Sequence, residues 1–166
     1  MWGLMIVSYL CIAITIFLLA LTGLQGYFQF HLMQANHPQF ALFTAIFYMF
    51  TETLVMFYFI GSGTAIKKSI KMRSGEPSLY EQVKKTKMIL FPHLTMNMFF
   101  IGAVFILGGA VQMGSFSGWV HGLFFDLAFI HFLYVIIIQH RGFKENVQII
   151  EKLTMAEGTT DDISPA

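Results

Sequence analysis

A chain of 166 residues that is 56% apolar and only 11% charged cannot be a small water-soluble domain. Such a domain typically carries about a quarter charged residues and leaves much of its surface against water. The net charge of +1 argues against a nucleic-acid partner, which needs a concentrated basic face. A single cysteine, Cys11, excludes an intrachain disulfide and a CxxC metal site.

Four apolar stretches follow in chain order, at about residues 4–24, 40–62, 88–111 and 119–139. Each approaches or exceeds the roughly 20 residues a helix needs to cross about 30 Å of hydrocarbon. None alternates polar and apolar residues, so a closed barrel is disfavoured. The first stretch lacks a basic flank and a small-residue cleavage signal, and it reads as a retained span rather than a signal peptide. The sequence therefore predicts an all-α integral membrane protein, a four-transmembrane-helix bundle forming one domain over 1–155.

Charge placement sets the expected orientation. Seven cations, Lys67, Lys68, Lys71, Arg73, Lys84, Lys85 and Lys87, lie between spans two and three, and Arg141, Lys144 and Lys152 follow span four. The connections at 26–39 and 112–118 carry no Lys or Arg. By the positive-inside rule both the N-terminus and the C-terminus are expected to be cytoplasmic. Residues 63–87 read as a basic loop broken at Gly75 and Pro77, with a short surface helix over 79–87. It serves as a topology signal or as a contact for anionic lipid. The acidic tail at 156–166 reads as disordered. An inner (plasma) membrane is the expected location, with an organelle membrane the alternative.

Ionisable groups in hydrocarbon are costly and usually mark an interior or a pathway. Span one carries Ser8, Thr15 and Thr22 at steps of seven, and span two carries Thr44, Tyr48 and Glu52 at steps of four. These stripes are expected to face one another. Pro38 is expected to open span two, and Pro92 to kink span three. Glu52 and His131 each lie twelve residues in from the outer ends of their spans, and Asn97 lies nine in from the opposite side. At about 1.5 Å per residue, Glu52, Asn97 and His131 share one layer with Tyr48 nearby, the predicted buried polar cluster.

Three functions fit these residues. The first is haem b ligation by two imidazoles on neighbouring helices. His93 and His131 differ in level by only about 5 Å and form the preferred pair, between spans three and four. His37 and His121, at the outer mouths of spans two and four, form a second. The second function is proton or ion transport through Glu52 and His131. The third is a non-catalytic structural or assembly subunit whose polar groups serve packing. The combined expectation is a small polytopic subunit of a larger membrane complex, not catalytic on its own. It would hold haem b and pass electrons between a quinone and other membrane-protein subunits. No soluble-enzyme motif is present: the chain lacks G-x-S-x-G, Walker A, G-x-G-x-x-G and HExxH.

Overall fold

Backbone groups in hydrocarbon have no water to bond, so an apolar chain satisfies them within helices. The computed structural model describes residues 2–32, 34–73 and 77–161. It contains four helices: α1 (Trp2–Phe28), α2 (His37–Arg73), α3 (Pro77–Gln112) and α4 (Gly118–Asp161). Each is long and apolar enough to cross a membrane. They run up and down in chain order. α1 packs on α2, α2 on α3 and α3 on α4, while a looser α1–α4 seam closes the ring. α2 and α4 thus face each other across the diagonal. The α3–α4 seam is the most extensive.

The bundle's apolar core encloses a set of polar side chains, and its outside is apolar as well. Ser8, Thr15, Thr22, Thr44, Thr51, Glu52, Asn97 and Gln139 are buried, whereas Phe17 and Ile106 are 63% and 73% exposed. Side chains of this kind turn away from lipid because only the interior offers hydrogen-bond partners. The predicted stripes do meet. Thr15 bonds Thr51 at 2.9 Å and Thr22 bonds Thr44 at 2.8 Å. A step of seven up α1 matches a step of seven down α2, the seam geometry of a left-handed supercoil.

The helices outrun the spans read from hydropathy. The 37 residues of α2 make a rod of about 55 Å, against a hydrocarbon layer of about 30 Å. The stretch 63–87, expected as a loop, is helical on both sides of residues 74–76, which lie outside the described residues. The expected surface helix over 79–87 is simply the beginning of α3. Ile66, Val83 and Ile149 form a separate apolar cluster, flanked by Ile70, Leu79, Ile150 and Leu153. Asn146 donates to Ser62 at 2.7 Å. Apolar residues at helical spacing among the lysines therefore carry three helices onward as one packed extension at the basic end. α4 continues to Asp161, and residues 162–166 of the tail expected to be disordered lie outside the described residues. Pro92 lies within α3.

Candidate functional site

The end of the bundle opposite the basic extension is built by two tightly specified turns. α1 stops at Gln29, whose φ of 54° is left-handed. Its amide donates to the Gln25 carbonyl at 2.9 Å, and its side chain reaches back to the Gly26 carbonyl at 2.6 Å. Buried Gln25 holds the connection by donating to the carbonyls of Phe30 and Ala35, at 3.0 and 2.9 Å. Asn36 and Gln39 then cap α2 reciprocally, each side-chain oxygen accepting from the other's backbone amide at 3.1 Å. Pro38 is tolerated in this first turn, where its missing N–H costs nothing. His37 is thereby fixed at the first position of α2.

The second turn is equivalent in effect. Gly114, at φ 72°, ends α3 with its amide bonding Val111 and the Ser115 amide bonding Ala110, both at 2.9 Å. This Schellman pattern favours glycine at the left-handed position, which a residue without Cβ adopts without strain. The His121 amide then bonds the Ser117 carbonyl at 3.1 Å, which places His121 in the first turn of α4.

His37 and His121 meet across the diagonal, with ring centroids 6.3 Å apart and planes crossed at 71°. Two metal–nitrogen bonds of about 2 Å, plus about 1 Å from each nitrogen to its ring centre, place two imidazoles about 6 Å apart across one metal. The observed spacing is of that size. Around the pair lies a cavity of about 710 Å³ to which all four helices contribute. That volume is within the roughly 300–1,000 Å³ of small-molecule and cofactor sites. Leu19, Ile101, Val104, Phe105 and Phe125 supply apolar walls.

Glycines make the space. A Cβ on Gly26 of α1 would stand 3.1 Å from the His37 ring, and one on Gly108 of α3 would stand 3.2 Å from the His121 ring. Each helical hairpin thus gives one histidine from its second helix and one backing glycine from its first. A valine at position 26 or 108 is expected to push the adjacent imidazole away and break up the His37–His121 pair. Helix content, checked by circular dichroism, should be retained.

The structure also joins His93 and His131, with centroids 5.9 Å apart, but these two stand on α3 and α4, the most closely packed neighbours. The predicted polar cluster divides in two. Asn97 donates to the Tyr48 hydroxyl at 2.7 Å and bonds His131 Nδ1 at 2.7 Å. Glu52 instead accepts from Gln139 at 2.7 Å. Among the described residues no hydrogen bond joins Glu52 to Asn97 or His131. Counting from the span ends assumed that α2 and α4 begin at one height. The bond between Glu52 and Gln139, eight residues beyond His131, shows that the helices are offset. His140 bonds Tyr9 at 2.9 Å, and His31 is exposed.

Sequence reasoning passed over Gly26, the partner Gln139, and Tyr27, which donates to Asp126 at 2.6 Å across the α1–α4 seam; it read Gly108 only as a place of close helix approach and Asp126 only as an ionisable group in span four. The glycines carried a signal, each lying shortly before a histidine that opens the next helix. Comparisons with known protein families, curated proteins and solved structures find no match to the chain.

Proposed function

We propose that this chain is a small membrane-embedded electron carrier of the cytochrome b type, which holds one haem b between His37 and His121. The observation that carries this reading is the facing imidazole pair on diagonal helices, set within a cavity of about 710 Å³. The choice between the two histidine pairs follows from space. A porphyrin needs open space beside its ligands, and the cavity lies around His37 and His121, whereas neither His93 nor His131 lines it. The pair on α3 and α4, preferred from sequence, therefore gives way to the outward pair as the haem site.

The remaining contacts suit such a group. His37 and His121 would hold its iron, and Gly26 and Gly108 let the rings stand against neighbouring backbone. No Lys or Arg occurs in the two connections at this end. The first turn of α4, with its N-terminal amides and positive dipole end, is what would meet carboxylate groups there. Bound haem iron supplies one-electron redox chemistry, with a potential set by its two imidazoles and apolar walls.

Placement in the cell follows the charge pattern. The basic extension faces the cytoplasm with both termini, and the haem end faces outward across an inner (plasma) membrane. The exposed apolar faces of the bundle suit lipid and other membrane subunits, and a membrane quinone is the expected redox partner. The test is an absorption spectrum of the detergent-purified chain. A Soret band that sharpens with an alpha band on dithionite reduction, at about one haem per chain by extraction, supports the reading. Protein without any haem after expression with excess haem precursor overturns it.

A further inference from the structure

α3 carries His93 and Asn97 four residues apart, so both side chains look the same way from one helix face. Asn97 is fully buried, and its two polar atoms are both committed. The amide nitrogen donates to Tyr48 of α2 at 2.7 Å, which leaves the carbonyl oxygen for His131 Nδ1 at 2.7 Å. With the Asn97 amide oriented this way, Nδ1 of His131 is the protonated nitrogen, because only an N–H can meet a carbonyl oxygen. Its Nε2 keeps a lone pair, which is buried and has no hydrogen-bond partner. Nδ1 of His93 is buried without a partner as well. The two rings are 5.9 Å apart, with Phe100 5.6 Å from His131 and Tyr134 5.5 Å from His93.

This is the arrangement of a metal ligand and its support. A ligating imidazole offers one nitrogen and donates the other N–H to a fixed acceptor, which sets tautomer and ring orientation. Here Tyr48 orients Asn97, and Asn97 orients His131. A buried nitrogen without a partner is costly, so two of them on neighbouring rings call for a shared partner.

We infer that His93 and His131 coordinate a second metal centre, separate from the cavity at His37 and His121. The ion is a transition metal of the iron or copper class, which imidazole prefers, rather than magnesium or calcium, which require oxygen ligands. Among the described residues no group of three His, Cys, Asp or Glu gathers there, so the protein gives two imidazoles and leaves the other positions open. His131 stands ten residues along α4 from His121, about 15 Å by helical rise. The inference stands on its own geometry and does not require haem at the first pair. The inferred occupant is a bare ion, because the cavity that suits a porphyrin lies at the other pair, and the experiment separates the ion from porphyrin iron.

The full chain, purified in mild detergent without chelator, is assayed for iron and copper by elemental analysis and for haem by pyridine extraction. Four proteins are compared: wild type, His121→Ala, the double variant His93→Gln with His131→Gln, and Asn97→Leu. The double variant is expected to lose one metal equivalent per chain that His121→Ala retains. Asn97→Leu, which removes only the orienting contact, should weaken retention about 10–100-fold on dialysis. Loss of iron together with haem identifies porphyrin iron, and loss of metal without haem identifies a bare ion. Metal content equal in wild type and double variant overturns the inference. Haem that vanishes with the double variant but survives His121→Ala would overturn both the bare ion here and the haem centre at the loop end.

Discussion

His121→Ala is expected to cost the chain its haem, with the haem-to-protein ratio falling at least about tenfold, because an axial bond is lost where even an orienting residue is worth about 10–100-fold. His37→Ala should do the same. The effect is large because nothing nearby can replace the ligand: the cavity around the pair is lined mainly by apolar and glycine residues. His31→Ala and His140→Ala serve as controls, since His31 is exposed and His140 bonds Tyr9 well along α4 from the cavity. Haem content and the reduced alpha band are the measurements. A His121→Ala protein with wild-type haem content removes the diagonal pair from consideration.

The pairing of the two histidines also makes a directional statement about position 36. The reciprocal bonds between Asn36 and Gln39 fix the first turn of α2, and with it the height of His37 above the cavity. The histidine is held by its neighbours in sequence as much as by the bundle. The same is true of His121, which follows the turn that Gly114 and Ser117 create. Ligands placed in the first turns of two helices inherit the precision of their caps.

Four helices were legible in the sequence because hydropathy over about 20 residues is a direct readout of bilayer thickness. The meeting of the α1 and α2 stripes was legible too, since residues at steps of seven return to nearly one face whatever the rest of the bundle does. The extension at the basic end was not. Ile66, Val83 and Ile149 are diluted by lysines, so the stretch averages to a polar loop although its apolar residues keep helical spacing. The histidines illustrate the limit most clearly. All the bundle histidines were visible as costly groups, but choosing between pairs needs the ring order and the diagonal, which are set by packing rather than by any local pattern. Depth counting put His131, Asn97 and Glu52 in one layer, whereas the structure bonds the first two to each other and Glu52 to Gln139, because an offset of a turn or two between helices exceeds the margin by which neighbouring layers differ.

Glu52 is where the competing transport reading meets a sharp test. Its carboxyl is fully buried, accepts one hydrogen bond from the equally buried Gln139 at 2.7 Å, and has a second oxygen without a partner. Gln139→Leu is expected to destabilise the bundle by about 1–3 kcal/mol, the cost of stranding a buried polar group. Glu52→Leu should cost a similar amount by stranding the amide. Changing both to leucine should recover most of the loss, because two apolar side chains of similar volume leave nothing unpaired. Unfolding in mixed micelles, arranged as a double-mutant cycle, measures the coupling directly. Recovery in the double variant with unchanged haem content means that Glu52 and Gln139 hold α2 to α4 across the diagonal, on the far side of the Tyr48 layer from the cavity. A double variant that folds as well as wild type yet abolishes a proton flux measured for wild type in liposomes would instead make Glu52 a transport group. The two roles separate here because packing needs only a matched pair, whereas transport needs the carboxyl itself.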